Sequence, residues 1–326
     1  MSRHYNKPFS PEEKLKILNL SQHARIDDVA LRYHCTVQSI YRWRRQYDGT
    51  IESLFNKSSR PLSPHPRAQT ADEIKNISNL IRRNPDIGLN ELYGKLRSKH
   101  SYVRDPVTLY RFLCRIGYYS VKKRKKPKYV PKPYDTPEQI GVKMQIDVKV
   151  VPCECYTGEY SDMRFYQYTA IDEATRERFI YPYREQYSGS SVDFLKRAIA
   201  YFGYVPDIVQ TDNGQEFTYT LFPKKKEKHA FDIACDKFKI KHKLIRPRTP
   251  RHNGKVERSH RNDNERFYVK LKFYSYADLF KQMKSYLKRS NNIPSSVLSS
   301  RDKLRKWLTP KEKRKELLLL DWGVVE

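Results

Sequence analysis

Residues 142–151, VKMQIDVKVV, carry the pattern that most restricts how this chain can fold. Apolar side chains occupy every second position from Val142 to Val150, which predicts a β-strand with one apolar face and one polar face. Asp147 is the one acid of this strand and lies in the middle of its polar face. Such a strand buries its apolar face against another layer, so the segment is expected in a packed sheet.

The segment after this strand alternates between strand and helix patterns. An apolar run ends at Asp212 and is followed by the turn residues Asn213-Gly214, whereas Glu257 lies in the first turn of a helix that begins after Pro250 and Gly254. The order β-β-β-α-β-α-β-α indicates a mixed α/β domain. Its elements are expected near 142–151, 164–171, 177–184, 189–203, 205–212, 229–238, 240–245 and from about 254 onward.

Three acids therefore lie at a mid-strand position, a strand end and a helix start. Each one alone is more often a solvated or capping residue, and Glu257 in a first turn also favours the helix dipole. As a set, Asp147, Asp212 and Glu257 have the oxygen ligands that Mg²⁺ or Mn²⁺ prefers. Two ions held by such a set can clamp the attacking and leaving oxygens of a phosphoryl transfer. The pattern predicts this chemistry.

The first 56 residues have the pattern of short helices. Ser10-Pro11 with Glu13 predicts a helix start, and a second pair of helices is expected within 26–47, with His34 at a tight turn where φ is often positive. The interpretation is a helix-turn-helix, with an ordinary three-helix packing unit as the alternative. In a helix-turn-helix, the side chains expected at the major groove are Gln38, Ser39 and Arg42, and those expected near phosphates are Arg44 and Arg45.

Residues 71–120 predict a second helical module. Asn90 is expected to cap one helix, and Asp105-Pro106 to begin another that ends at Gly117. A DNA-binding role and a structural spacer are both open at this point. Proline-rich segments at 57–70 and 121–141 are expected to be linkers, and the second contains the basic run Lys122, Lys123, Arg124, Lys125 and Lys126.

The net charge of +28 favours nucleic acid as a partner over a merely lysine-rich solvated surface. No run of about 18 apolar residues is present, which excludes a membrane-spanning helix, and residues 1–20 lack the apolar region of a signal peptide. The five cysteines are odd in number and do not predict a disulfide framework. The expected location is therefore the cytoplasm, in association with the nucleoid.

Two motifs make the sequence recognisable. TDNGQEF at 211–217 and PRHNGKVERSHR at 250–261 closely resemble motifs of DDE transposases, in particular bacterial insertion-sequence transposases with a retroviral-integrase-like core and an amino-terminal helix-turn-helix. The resemblance implies a ribonuclease H-like core in which Asp147, Asp212 and Glu257 are the catalytic metal ligands. It also implies DNA contacts from the second motif and its helix, at Arg251, His252, Lys255, Arg258 and Arg261.

The sequence also departs from the integrase pattern. The interval from Asp212 to Glu257 is 45 positions, longer than in retroviral integrases, and it includes the basic segment LFPKKKEKH at 221–229. Asn264 lies where integrases often have a lysine, so Arg258 or Arg266 is the candidate for that DNA contact.

The resulting hypothesis is a multidomain DDE transposase. It would bind the terminal repeats of a mobile element, cleave there with divalent metal, and join the ends to target DNA. Two ends need at least two protomers, so a homo-oligomer of at least a dimer is expected on double-stranded DNA. The alternatives are a catalytically inactive, transposase-derived DNA-binding regulator and a structure-selective nuclease. The expected domains are 1–56, 71–120, 142–270 and the helical tail 271–326, with the two linkers between them.

Overall fold

A computed structural model describes residues 8–56, 61, 63, 68–119, 136–159, 163–220, 227–246, 253–300 and 306–321. The chain divides into two compact units, Met1–Ala68 and Gln69–Glu326. Within the described residues, no helix is both long enough and apolar enough to span a membrane.

The first unit consists of three short helices and a 3₁₀ turn. They are α1 (Pro11–His23), α2 (Ile26–Arg32), α3 (Val37–Gln46) and the turn Ile51–Leu54. The expected start of α1 is confirmed: the Ser10 hydroxyl accepts from the Glu13 N–H at 3.2 Å, and the Glu13 carboxylate accepts from the Ser10 N–H at 2.8 Å. The turn between α2 and α3 contains His34 with φ of 52°, as the sequence predicts.

Apolar side chains from all four elements form the core of this unit. They are Ile17, Leu18, Val29, Ala30, Ile40, Trp43 and Leu54. Lys14 is buried among them, and its Nζ donates to the Leu54 carbonyl at 2.7 Å and to Asn56 Oδ1 at 2.5 Å. Burial lowers the pKa of this ammonium. The two hydrogen bonds offset its desolvation and join α1 to the turn that closes the unit.

The second unit begins with three more helices, α4 (Ala71–Arg83), α5 (Leu89–His100) and α6 (Pro106–Arg115). The prediction that Asn90 caps α5 is wrong, because the N-cap position is Gly88, whose lack of a side chain leaves the first turn without a side-chain cap. The predicted start of α6 is confirmed, since Asp105 accepts from the Val107 N–H at 2.6 Å. Gly117, with φ of 77°, follows the end of that helix.

These helices pack against the carboxyl-terminal part of the chain, which contains α10 (Tyr276–Ser290) and α11 (Pro310–Asp321). The Tyr93 and Trp307 rings meet edge to face, with centroids 5.8 Å apart. Arg97 also pairs with Glu312 at 2.7 Å. The module therefore shares its core with the segment that precedes α11.

The centre of the second unit is a five-stranded sheet in the order β3-β2-β1-β4-β5. Its first three strands pair antiparallel, and β4 and β5 add on parallel to β1. The elements are β1 (Lys143–Val150), β2 (Tyr166–Asp172), β3 (Arg178–Tyr183), α7 (Ser188–Phe202), β4 (Ile208–Thr211), α8 (Ala230–Lys237), β5 (Lys241–Leu244) and α9 (Gly254–Arg266). This is the mixed α/β core that the element order predicts.

Both faces of β1 are covered, which the alternation alone does not indicate. Met144 and Ile146 are fully buried with aromatic and aliphatic side chains of α7 and α8, whereas Val150 at the strand end is exposed. The polar face lies under α9, where the Val256 N–H donates to Gln145 Oε1 at 3.2 Å. The acid on this face is therefore at the boundary between the sheet and a helix.

Gly94 on α5 provides a test of the module packing. A Cβ at this position would lie 2.7 Å from Cδ of Pro294, which is part of a rigid ring. Alanine raises helix propensity by about 1 kcal/mol over glycine. We nevertheless expect Gly94→Ala to lower the free energy of unfolding by about 1–3 kcal/mol, because the two segments are forced apart. Thermal denaturation measures this.

Ser98→Ala is the matched control, since Ser98 is exposed on the same helix. It should leave the Tm unchanged or raise it slightly. A Gly94→Ala variant that is as stable as the control would contradict the close approach of α5 to Pro294.

Candidate active site

Asp147 and Asp212 lie side by side on neighbouring parallel strands. Gln145 of β1 pairs in register with Gln210 of β4. Asp147 and Asp212 each lie two residues further along, so they are at the same level of the two parallel strands. A shift of two residues keeps the same face of a sheet, so both carboxylates lie on the face that α9 covers. Asp212 directly follows β4, and its Oδ1 accepts from the Gly214 N–H at 3.1 Å, which the Asn213-Gly214 turn makes possible.

The electrostatics of this pair are unfavourable in the absence of a cation. Burial, followed by repulsion from Asp212 and then Glu257, raises the pKa of Asp147 to about 7. Burial also raises the pKa of Asp212 and of Glu257. Within the described part of the chain, neither Asp212 nor Glu257 takes part in an ion pair. The chain has a large excess of basic residues, and yet none of those that the structure describes pairs with these two acids.

Glu257 enters from the first turn of α9, as predicted, and its side chain is exposed. The amino end of this helix is fixed by the fully buried Glu173, at the turn after β2. Glu173 accepts from Gln145 Nε2 at 2.6 Å and pairs with Lys143 at 3.2 Å and with Lys255. The first turn of α9 is therefore tied to β1 and β2 before any ligand binds.

The sequence predicts Lys255 as a DNA contact, whereas in the structure its side chain binds within the fold. Its side chain is only 12% exposed and its Nζ is bound to Glu173 and to the Thr136 hydroxyl. Burial lowers the pKa of Lys255 to about 8, against the effect of the Glu173 hydrogen bond. The sequence motif does not distinguish a lysine directed at DNA from one that anchors the helix.

His260 is a site residue that the sequence reasoning missed. It lies three positions after Glu257, on the same side of α9, and its Nδ1 is 3.4 Å from Oδ2 of Asp147. Its Nε2 is 2.9 Å from the Thr169 hydroxyl oxygen, and burial lowers the pKa of the imidazole to about 4. The spacing of three residues from Glu257 could have placed His260 on the same side of the helix. Its contact with Asp147, however, depends on how α9 crosses β1.

Glu216, in the TDNGQEF motif, was also missed. It is buried, accepts from Gln186 Nε2 at 2.7 Å, and burial raises its pKa. A Cβ on Gly214 would lie 2.5 Å from Glu216 Oε2, so the motif glycine allows this carboxylate to fold back against the turn.

The donor chemistry at this edge of the sheet fits a hard divalent cation. Carboxylate oxygens are the ligands such ions prefer, and Asp147 and Asp212 are two half-buried carboxylates on one face. Neither has a lysine or arginine partner within the described ranges of the chain. However, among the residues that the structure describes, no three His, Cys, Asp or Glu side chains are grouped closely enough to hold a metal ion. The acid pair is in place, and Glu257 is not gathered with it into a complete ligand set.

The predicted recognition helix α3 presents some of its expected side chains to solvent. Gln38, Arg42 and Arg45 are exposed, whereas Ser39 is half-buried beside the Thr36 cap. Arg44, which is predicted near phosphates, is exposed, and its guanidinium donates to the Ser21 carbonyl at 2.5 Å and to the Ser21 hydroxyl at 3.0 Å. This arginine ties α3 to α1.

Basic side chains also flank α9. Arg261 is exposed and pairs with Glu265 at 3.0 Å. On the side of the helix next to α5, a cleft of about 390 Å³ includes Asn90, Arg258, Asn262 and Arg266, and no acidic side chain lines it. The predicted contacts Arg251, His252, Lys122, Lys123, Arg124, Lys125 and Lys126 lie outside the described residues.

A family model matches the part of the chain that contains the acid pair. Residues 137–250 match the family model described as Integrase core domain, a match that includes Asp147 and Asp212 and ends before Glu257. A protein of Spiroplasma virus SpV1-C74, described as "Putative integrase ORF3", is 30% identical over 157 residues, 46% of this chain and 42% of that protein. The chain thus spans about two fifths of that relative's length. Residues 137–250 form an integrase-type core.

Two solved structures are distantly similar. A chain of the simian T-cell lymphotropic virus intasome in complex with PP2A regulatory subunit B56 gamma is 17% identical, with a TM-score of 0.32, over 49% of this chain and 52% of that one. The HTLV-2 integrase catalytic core domain, in complex with magnesium in a trimeric form, is 18% identical, with a TM-score of 0.34, over 47% of this chain and 86% of that one.

The raised pKa of Asp147 gives a test of the site. Because its pKa of about 7 in the folded chain exceeds the unfolded value of about 4, the folded state binds the proton more tightly between these values. The free energy of unfolding therefore falls as the pH rises from about 4 to about 7. Without metal, we expect Asp147→Asn to be more stable than the wild type at pH 8, by about 2–4 kcal/mol, and the difference to shrink toward pH 5.

Urea denaturation in the presence of a chelator, at several pH values, measures this difference. Asp207→Asn removes one negative charge from an exposed position just before β4 and serves as the control. A constant or negative stability difference for Asp147→Asn across this range would contradict the electrostatic description of the site.

Proposed function

We propose that this chain, with its integrase-type core at 137–250, is a DDE transposase. It binds the terminal repeats of a mobile element, cleaves DNA there with divalent metal, and transfers the freed strand to a target. The observation that carries the proposal is the half-buried acid pair of Asp147 and Asp212, in which Asp212 and then Glu257 repel Asp147. Within the described part of the chain, no basic side chain forms an ion pair with Asp212 or Glu257.

The proposed chemistry needs cations at this pair. Two Mg²⁺ or Mn²⁺ ions bound there would lower the pKa of the attacking hydroxyl or water, and they would place positive charge next to the phosphate. Asp147 and Asp212 would hold them from the sheet, and Glu257 would complete the set from α9. The exposed position of Glu257 at a helix start supports this role, because its side chain can move without disturbing the core.

DNA recognition is proposed for the first unit. Its second and third helices, joined by the turn at His34, support a helix-turn-helix in which α3 enters the major groove. Gln38 and Arg42 then read base edges, and Arg45 contacts a phosphate. Arg44 has no DNA role in this proposal, since it is bound to Ser21.

Further contacts with the DNA backbone are proposed for the basic side chains around α9. The cleft that includes Arg258 and Arg266 has no acidic lining residue, which supports a phosphate partner. Double-stranded DNA of the element ends and of the target would be the partner. The joining of two ends would need at least two protomers. Such a protein would act at the nucleoid.

Amide variants of the triad test the catalytic proposal. Asp147→Asn, Asp212→Asn and Glu257→Gln should each lower strand cleavage and strand transfer by about 10³-fold or more, because the loss of a charged oxygen ligand weakens the cation without emptying the site. DNA affinity should stay within about threefold of the wild type, since the phosphate contacts lie elsewhere. The assay incubates the full chain with Mg²⁺ and DNA that carries candidate element ends, followed by sequencing of the products.

Asp207→Asn is again the matched control and should be fully active. Strand transfer by a triad variant at the wild-type rate would remove that residue from the site. A wild-type chain that binds the ends but never cuts them would favour the inactive regulator, and cleavage without joined products would favour a nuclease.

A pair of arginines on α3 separates base reading from helix packing. Arg42→Ala should reduce the preference for element ends over random DNA, by about 1–3 kcal/mol if Arg42 pairs with a base edge. Arg44→Ala should lower the Tm of the first unit and leave the preference unchanged, because Arg44 bridges α3 and α1. Fluorescence anisotropy with both DNAs gives the preference. An Arg42→Ala variant with unchanged preference would contradict the recognition-helix assignment.

A further inference from the structure

We propose that His260 is a positioning residue for Asp147, with its Nδ1–H directed at the Asp147 carboxylate by a chain of buried hydrogen bonds that begins at Asp263. The inference rests on the proposed function only in giving Asp147 a metal-binding role. The assigned tautomer of His260 rests on the hydrogen bonds that reach Thr169 and on the Asp147 carboxylate that faces Nδ1.

The series of hydrogen bonds begins at the carboxylate of Asp263, whose oxygens act as acceptors. Asp263 is fully buried, and its oxygens face Arg178 Nη1 at 2.7 Å, the Tyr286 hydroxyl at 2.9 Å and Gln167 Nε2 at 2.8 Å. The contact with Asp263 fixes the orientation of the Gln167 amide, because its NH₂ group must face the carboxylate. The Gln167 carbonyl oxygen is then free to accept from the Tyr268 hydroxyl, and that hydrogen bond is present.

The next group is the hydroxyl of Thr169. Gln167 Nε2 donates to Thr169 Oγ1 at 3.0 Å, so the hydroxyl oxygen already acts as an acceptor. Its own proton can be donated, and His260 Nε2 lies 2.9 Å away. A hydroxyl oxygen has two lone pairs, so this contact alone fits either tautomer of His260. In the proposed arrangement Thr169 donates to Nε2, and the single proton of the neutral imidazole is on Nδ1.

Nδ1 faces the candidate metal ligand. Its distance from Asp147 Oδ2 is 3.4 Å, and the carboxylate lies at the level where Thr169 of β2 pairs with Asp147 of β1. The opposite tautomer would set the Nδ1 lone pair against a carboxylate oxygen, two acceptors facing each other. The Nδ1–H tautomer replaces that repulsion with an attractive, though long, N–H to oxygen contact.

The consequence concerns the orientation of Asp147. A donor that holds one oxygen of a metal-binding carboxylate fixes the rotation of the group, and loss of such a donor typically weakens metal affinity about 10–100-fold. Since Arg178 pairs with Asp263, where these hydrogen bonds begin, the orientation of Asp147 is also linked to β3 and α10, which Arg178 joins through Ser290 Oγ at 3.1 Å. In this role His260 contacts one carboxylate oxygen of Asp147 and acts on the metal only through that residue.

The tautomer can be measured directly on the full chain without metal or DNA. We expect long-range ¹H–¹⁵N correlation spectra of ¹⁵N-histidine-labelled protein at pH 7 to show His260, assigned by its loss in His260→Asn, with a protonated Nδ1 and an unprotonated Nε2. Thr169→Ser keeps the hydroxyl and should keep this pattern. Thr169→Val removes the donor and should shift the population toward Nε2–H. A wild-type His260 in the Nε2–H form or as an imidazolium would overturn the proposal.

Mn²⁺ binding, measured by calorimetry, provides the second readout. His260→Asn has an amide nitrogen where imidazole has Nδ1, so its affinity should stay within about threefold of the wild type, whereas His260→Leu should bind about 10–100-fold more weakly. Equal losses in both variants, at equal Tm, would overturn the positioning role. If the wild type binds no Mn²⁺, the proposed function fails, and the spectra still decide the tautomer.

Discussion

The buried ion pair between Arg178 and Asp263 determines where α9 lies on the sheet. Arg178 is 8% exposed and Asp263 is not exposed at all, and their side chains meet at 2.7 Å. A buried charge that loses its partner typically costs about 3–5 kcal/mol, so these two residues restrict each other strongly. Asp263 belongs to α9 and Arg178 to β3, and the pair therefore fixes the carboxyl-terminal half of α9 against the sheet.

A second pair restrains the other end of the same helix. Lys255 in the first turn is bound to Glu173 at the end of β2, and the Val256 N–H donates to Gln145 of β1. Glu257 and His260 lie between the two anchor points. Their positions relative to Asp147 are thus set by contacts outside the acid cluster. This matters because the acids repel one another and cannot organise the site themselves.

Much of this arrangement could be predicted from the sequence, since periodicity reports local structure. The strand with Asp147, the strand end at Asp212 and the helix start at Glu257 are all confirmed, because alternation, turn residues and helix breakers act over a few neighbouring positions. What each face of those elements contacts is harder to predict from the sequence. Arg44 and Lys255 belong to basic runs that suggest DNA, and only the packing of α3 on α1 and of α9 on β2 shows that each is used within the fold.

His260 illustrates the remaining limit. Its importance comes from the angle at which α9 crosses β1 and from a hydrogen-bond chain whose members lie on different elements, β2 for Gln167 and Thr169 and α9 for Asp263 and His260. No single segment carries that pattern. Residue spacing can place a side chain on a face, but the partner of that face is decided by tertiary packing.

The charge distribution leads to a final point about how such a chain could act on a polyanion. A net charge of +28 favours a polyanion as a partner, whereas the edge at Asp147 and Asp212 has the sign of the phosphates and repels them. General attraction therefore cannot bring a phosphodiester to that edge. Positive charge has to be placed between the two anions, and among the described residues no lysine or arginine is paired with Asp212 to supply it. In the proposed function the site is therefore selective: DNA would bind at basic side chains of the surface, but a phosphate would approach the acids only with a cation in the space between them.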